Sequence, residues 1–464
     1  GFRNLGEIMG SNEILREVEY SSLAKSRVHN FKIKGSDSIK LIVPPTVYPP
    51  RRDTELLLQG LNSIKLQAGN LVEIGCGSGA ISIAMALSGW NVTAFDVNPL
   101  AVVATIGNSE VAGVEDYVTV KEGGVGEENW KLPKDVDLVV WNLPYLVPNL
   151  ENMLGPMEEA AMTDEANLGW SEKLLHVVND ESEKDTLFVL LMNSDSNPKN
   201  SSLSWIKNGW SRRTLAIERV GDDTLEVVAF WRPGFGSESE YIEVTNSTMD
   251  EARKLPKFGW QRIRSGEQIN GRGRRGANWH SKQGDMIASW SVGFDEINRW
   301  TPGLLQVSIG ASISEALGIQ LKWPNDLIFQ QQKCGGILLE SSTSEERIRI
   351  GVGLNKGARE IEGVSYAGWE DYYGDINADD MFQIIDASIS SILDSSPPIE
   401  NSSEILWQQK SWIKLSEILS RGVITQYDEQ TVNVVGLSHT GELNAISVTS
   451  KHEIQDVGDF FIAF

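Results

Sequence analysis

Between Leu71 and Asp96 the chain runs through a short apolar stretch, a glycine loop, a helix-periodic stretch and a second apolar run closed by an acid, and no other segment restricts the fold as tightly. Leu71-Val72-Glu73-Ile74 has the length and composition of a buried strand, and it leads into Gly75-Cys76-Gly77-Ser78-Gly79-Ala80. Ile81, Ile83, Ala84, Met85 and Leu87 follow at helical spacing, and Val92-Thr93-Ala94-Phe95 then ends at Asp96. That acid stands roughly 20 residues past the first glycine, the spacing at which a strand-end carboxylate meets ribose hydroxyls. Such an order demands a parallel sheet covered by helices, with a nucleoside-bearing ligand at the carboxyl ends of the strands. No lysine follows the glycines, which excludes a P-loop, while on the loop alone a dinucleotide site stays open.

A third apolar run, Leu138-Val139-Val140-Trp141, ends in Asn142-Leu143-Pro144-Tyr145. An Asn side-chain oxygen followed by a free backbone carbonyl can accept both hydrogens of a planar NH2 group, and an aromatic ring can stack on its plane. With Glu73 two residues before the first glycine and Pro50-Arg51-Arg52-Asp53-Thr54-Glu55-Leu56-Leu57 upstream, residues 31–230 resemble the release-factor glutamine methyltransferases of the class I fold. The resemblance implies that Glu73, Gly75, Gly77, Gly79 and Asp96 hold S-adenosylmethionine. Asn142, catalytic by orienting the acceptor amide, would work with Leu143, Pro144 and Tyr145. Three departures stand out. Leu143 replaces the first proline of the usual Asn-Pro-Pro-Tyr, which makes the ribosomal-RNA adenine dimethyltransferases the alternative for this half. Gly123-Gly124-Val125-Gly126 lies where relatives carry an Asp beside the adenine, so a retired, scaffold-only domain is a further reading. The resemblance does not take in the helical N-terminal domain of bacterial members, so the compact archaeal and eukaryotic type is expected.

Downstream, five arginines fall between Gln261 and Gly276 in a chain with 64 Asp+Glu, 41 Lys+Arg and a formal charge of -23. Guanidinium forks on a glycine-spaced loop suit an anionic ligand such as phosphate or carboxylate. The loop Gly271-Arg272-Gly273-Arg274-Arg275-Gly276 with Trp279 precedes Lys322-Trp323-Pro324-Asn325-Asp326-Leu327. Lys333-Cys334-Gly335-Gly336-Ile337-Leu338-Leu339-Glu340 and Gly351-Val352-Gly353-Leu354-Asn355 come next, in that order. Together with Thr245-Asn246-Ser247-Thr248-Met249-Asp250-Glu251-Ala252, these strings resemble the biotin protein ligases from about Tyr241 to the C-terminus. The resemblance implies biotin, ATP and Mg2+ as ligands and a biotin carboxyl carrier protein domain as partner. Ser247, Thr248, Met249, Gln268, Gly271, Gly273 and Gly336 would form the biotin wall, with Arg272, Arg274 and Lys333 catalytic at the carboxylate and α-phosphate. Arg274, Arg275, Trp279, Asn325, Asp326 and Asn355 would hold the nucleotide. Ala277 stands where the family carries another arginine and Met249 where Asn is frequent, so weaker retention of the activated intermediate is expected. The glycine–arginine loop argues against a lipoate ligase. A methyltransferase in place of a winged helix argues against a DNA-binding repressor.

The expected architecture is α/β throughout. Residues 1–235 form a Rossmann-like methyltransferase domain closed by a hairpin of Thr214–Val220 and Leu225–Trp231. Residues 236–415 form the ligase domain, and residues 416–464 a small SH3-like β-barrel. Arg232 to Glu240 reads as a polar linker between halves that fold independently. Residues 1–235 lack a basic run, which suits a protein substrate, a release factor by resemblance, better than RNA or DNA. No apolar run approaches the ~18 residues of a membrane span. The two cysteines, Cys76 and Cys334, fall in different halves, so no disulfide is expected and a cytoplasmic setting fits. Five histidines without ligand spacing give no metal site.

Overall fold

The apolar runs of the first half fold as neighbouring parallel strands at the centre of the first unit's sheet. The computed structural model describes residues 25–34, 37–144, 169–181, 185–194, 201–221, 223–297, 299–342, 344, 346–420, 423–456 and 460–463; Tyr145 lies outside them. In chain order the first unit contains β1 (Arg27–Lys34), β2 (Asp37–Val43), α1 (Arg52–Asn62), β3 (Asn70–Ile74), α2 (Ala80–Leu87), β4 (Asn91–Asp96), α3 (Pro99–Ala112) and β5 (Val118–Glu122). It continues with β6 (Leu138–Asn142), α4 (Trp170–Glu181), β7 (Leu187–Asn193), α5 (Leu203–Lys207), β8 (Ser211–Val220) and β9 (Asp223–Trp231).

Its seven-stranded sheet runs β5-β4-β3-β6-β7-β9-β8, with β3 to β7 parallel and β9 antiparallel to β7. Strand order reverses between β3 and β6, which opens the crevice where such sheets bind ligands. β6 and β7 are almost wholly buried, as strands covered on both faces must be. α3 starts on Pro99 after Asn98, whose side chain accepts the Leu100 N–H, and stops at Gly113 with positive φ.

The second unit holds a nine-stranded sheet. Its main path is β10 (Glu240–Thr245), β11 (Gln261–Gln268), β14 (Met286–Gly293), β18 (Arg347–Leu354), β17 (Gln332–Ser342), β16 (Asp326–Phe329) and β15 (Gln320–Lys322). β19 (Arg359–Ile361) and β20 (Val364–Tyr366) join at β17, while β12 (Gly271–Arg272) and β13 (Asn278–Trp279) form a separate two-stranded ladder. Helices α6 (Pro302–Leu317), α7 (Ala378–Leu393) and α8 (Glu404–Leu419) cover this sheet, and α6 is buried over nearly its whole length. Near the C-terminus β21 (Ile424–Tyr427), β22 (Gln430–Leu437), β23 (Leu443–Ile446), β24 (Lys451–Ile454) and β25 (Phe460–Ala463) make a five-stranded antiparallel sheet, order β24-β23-β22-β21-β25.

The division into units is not a single cut. Gly1–Trp205, Arg212–Trp231 and Pro398–Glu400 form one, and Ile206–Ser211, Arg232–Pro397 and Asn401–Phe464 the other. The stretch read as a linker is partly built into the second unit. The buried Arg262 guanidinium donates to the Pro233 and Ser237 carbonyls and ion-pairs with Asp386, and the Gly234 N–H donates to Asp394. Among the described residues no helix is long and apolar enough to cross a membrane.

Candidate active sites

The first cavity lies at the carboxyl ends of β3, β4 and β6. Glu73, Gly75, Cys76, Gly77, Asp96, Gly123, Gly124, Asn142, Leu143 and Pro144 all line it. Gly79 does not; it caps α2 at φ 83°, and a Cβ there would stand 2.9 Å from the Thr105 side chain, so the turn requires glycine. Asp96 is buried, and each of its oxygens takes one backbone N–H: Gly77 donates to Oδ2 at 2.8 Å and Asn98 to Oδ1 at 2.9 Å. The carboxylate thereby locks the glycine loop and keeps lone pairs for hydroxyl donors. Glu73 is also buried and accepts from Ser82 Oγ. Burial pushes the Glu73 carboxyl up to about 8 and the Asp96 carboxyl up to about 6, because the charged form loses its hydration there. Burial likewise pushes the Cys76 thiol well up, and the Cys334 thiol in the second unit up to about 12, so neither cysteine is an activated nucleophile.

Asn142 ends β6 with its Nδ2 donating to Asp53 Oδ2 at 2.9 Å. Its Oδ1 is buried in the cavity wall and has no hydrogen-bond partner among the described residues. An orphaned buried acceptor is costly, and it marks the place where a donor on a bound molecule belongs. Trp170 and Tyr48 also line this cavity; neither had a local motif to announce it.

The second cavity holds about 390 Å³ and is walled by β14, β17, β18 and the loops before and after β12. Ser247, Thr248, Met249, Gln268, Arg272, Gly273, Arg274, Arg275, Trp279, Asn325, Asp326, Lys333 and Gly336 all reach it. Gly271 and Asn355 do not line it. Asn355 is buried with its amide donating to the Ala367 carbonyl at 3.0 Å, which makes it a brace of the loop after β18. Thr248 donates through N–H and hydroxyl to Gln268 Oε1, at 2.8 and 3.2 Å, and thus fixes which end of that amide remains for a ligand. Gly353 has to be glycine, since a Cβ would sit 2.5 Å from the Trp279 indole packed across it.

Three donors in this wall, Ser247 Oγ, Arg274 Nη1 and Trp279 Nε1, are buried without partners among the described residues. Arg272 differs from the expectation of a direct ligand contact. Its guanidinium forks onto Asp250 at 2.8 and 2.9 Å and onto Glu340 at 2.7 and 3.0 Å, which leaves it little capacity for a ligand. Those bonds push both carboxyls below their usual range. Lys333 Nζ lies 2.6 Å from Asp326 Oδ1, and the C-terminal loop brings Asp456 onto Arg274 and Arg275. Phe460 and Ile462 of β25 complete the wall. Sequence reasoning missed Asp456, Phe460 and Ile462, because nothing local ties them to a motif some 180 residues upstream. Among the described residues Asp326 is the one carboxylate lining the cavity and it is engaged by Lys333, so those residues do not form a magnesium site of their own.

A family model described as Ribosomal protein L11 methyltransferase (PrmA) matches residues 52–171, and one described as the Biotin/lipoate A/B protein ligase family matches residues 241–355. The Bifunctional ligase/repressor BirA of Bacillus subtilis is 35% identical over 127 residues, 25% of this chain and 39% of that protein. The Release factor glutamine methyltransferase of Fusobacterium nucleatum is 37% identical over 103 residues, 21% of this chain and 28% of that protein. The solved biotin protein ligase from Aquifex aeolicus in complex with biotin and ATP aligns at 24% identity and TM-score 0.41, over 49% of this chain and 99% of that one. The chain therefore carries a PrmA-type methyltransferase domain followed by a biotin/lipoate ligase domain, and its matches span well under two thirds of those two curated relatives.

Proposed function

We propose that the first site transfers a methyl group from S-adenosylmethionine to the side-chain amide of a protein glutamine, as found in a release factor. The second would activate biotin with ATP and pass it to a lysine of a carrier domain. The observation that carries the first reading is the unpartnered Asn142 Oδ1 at the end of β6. With the Leu143 carbonyl it would accept the two N–H bonds of a planar amide. The nitrogen lone pair then faces the methyl carbon. The N–C bond forms as the C–S bond breaks, the electron pair stays on sulfur, and nitrogen gives a proton to water. The acidic wall of Glu73 and Asp96 suits a cofactor that carries a sulfonium and an ammonium. Leu143 keeps the needed carbonyl where the usual motif has proline.

For the second site the supporting feature is three orphaned donors beside Lys333 and the loop arginines. A carboxylate oxygen of biotin attacks the α-phosphorus and pyrophosphate leaves. The carrier lysine then attacks the acyl carbon and AMP departs. Arg274 and Lys333 would neutralise the two anions brought together, a positioning and electrostatic task. The C-terminal sheet, an SH3-like barrel in this reading, supplies part of the wall. A metal ion would be carried in by the triphosphate.

The tests are direct. Incubation with labelled biotin, ATP and a biotin carrier domain should label the domain, and biotin-dependent pyrophosphate exchange should be slowed roughly 30- to 1,000-fold by Lys333→Ala. Near-normal exchange in that variant would sink the assignment. For the first site, S-adenosylmethionine should bind, and tritiated methyl should pass to a glutamine peptide. Binding without transfer to any peptide would favour a scaffold domain, and transfer to an adenine amine would favour the nucleic-acid reading.

A further inference from the structure

Asp53 sits at the second helical position of α1 and is almost fully buried, a costly place for a carboxylate. Its bonds account for its tolerance there. Thr54 donates to Oδ1 through its N–H at 2.7 Å and its hydroxyl at 3.3 Å, and Tyr48 Oη donates to Oδ2 at 3.0 Å. The positive end of the eleven-residue α1 adds a favourable field. The fourth donor is Asn142 Nδ2, which reaches Oδ2 at 2.9 Å from 89 residues away.

We infer that Asp53 is a positioning residue: it fixes the orientation of the Asn142 amide, so that Oδ1 faces a substrate NH2 and is polarised by the carboxylate behind it. The inference rests on the methyl-transfer reading given above, and it deepens that reading. An ionised carboxylate can only accept hydrogen bonds. Asn142 must therefore turn its NH2 to Asp53, since the reverse orientation would set two acceptors against each other. The opposite end of the amide fork is then necessarily an acceptor, and it is the atom left orphaned in the cavity wall. A hydrogen bond given to an anion also draws electron density toward the carbonyl oxygen, which makes Oδ1 a stronger acceptor for N–H bonds that gain positive character as the methyl arrives. Asp53 does not touch the reacting atoms. It acts through Asn142.

The test has two arms on the full chain. In the first, the Asn142 side-chain amide resonance is identified by its loss in Asn142→Ala and followed without ligand. Asp53→Asn, which can present either end of its own amide, should shift that resonance. If the resonance stays in place, Asp53 does not set the amide and the proposal is overturned, whatever the substrate proves to be. In the second, tritiated S-adenosylmethionine and a glutamine peptide are the probes. Asp53→Asn should lower kcat roughly 10- to 100-fold while KM for S-adenosylmethionine stays within about threefold. It should add nothing further on the Asn142→Ala background. Losses that add would mean two independent roles and would also overturn the proposal. Wild-type chain that methylates no peptide would count against the reading of the function, and the resonance arm would still decide the role of Asp53. Should Asp53→Asn fail to fold, Tyr48→Phe serves instead. It removes a second described donor from Oδ2, so the Asn142 resonance should move downfield, and an unmoved resonance refutes the proposal.

Discussion

Glu73 and Asp96 share one buried wall, and their shifted affinities for protons have consequences that can be measured. With its carboxyl raised to about 8 by burial, Glu73 is mostly protonated at neutral pH in the ligand-free chain. Its unfolded value is near 4.5, so the folded state holds the proton more tightly. The resulting stabilisation is complete below about pH 4.5 and is lost as pH rises through about 8. Denaturation of the ligand-free chain should therefore show stability falling across that window, and Glu73→Gln should flatten the slope. A cationic cofactor entering the cavity favours the ionised form, so calorimetry in buffers of different ionisation enthalpy should detect proton release on binding S-adenosylmethionine at pH 7, with less released by Glu73→Gln. In the second cavity, Gly353→Ala drives a methyl group into the Trp279 indole, and such overpacking costs about 1–3 kcal/mol. Loss of biotin binding should accompany a lowered melting temperature. At this scale the sequence picked out many of the residues that the fold brings to the two cavities, but not what holds them there. Asp53 stood in view as part of a motif string, yet its bond to Asn142 is a product of the sheet. Nothing near Asn355 indicated that its amide would be spent on the Ala367 carbonyl.

Strands and helices were legible wherever burial imposes a period. The runs Leu71–Ile74, Val92–Phe95 and Leu138–Trp141 lie inside β3, β4 and β6, because strands covered on both faces are apolar along their whole length; the closing hairpin falls on β8 and β9, with β8 the part-exposed edge of the sheet. Arg232 to Glu240 read as a linker because glycine, proline and serine dominate it; the bonds from Arg262 and Asp394 that pack part of it come from far along the chain. Element-scale coupling also governs the arginine loop. Arg272 ties β12 to Asp250 in the short helix Thr248–Glu251 and to Glu340 on β17, so three segments are held by one guanidinium. Arg272→Ala, Asp250→Ala and Glu340→Ala should each speed release of the activated intermediate by a similar factor. Arg272→Ala with Glu340→Ala should cost less than the sum of the two, as members of one cluster do. Additive losses, read by single-turnover release, would show that Arg272 contacts the ligand instead.

The whole molecule keeps its two cavities on separate stretches of chain. Every described residue lining the first cavity falls between Thr46 and Trp170, and every described residue lining the second between Ser247 and Ile462. Fragments 1–231 and 232–464 should accordingly retain S-adenosylmethionine binding and biotin activation respectively, each with affinity within about threefold of the intact chain. A ligase fragment that folds but stays silent until the first is added back would refute this autonomy. In the second unit Asp456 rests on Arg274 and Arg275 as a resident counter-ion. An incoming phosphate there would find Arg274 Nη1 open but would have to displace Asp456 from the rest of the pair. Ligation would then begin as an ion exchange, in which tight binding is traded for discrimination, since a weaker anion cannot outbid a carboxylate already tethered to the same chain.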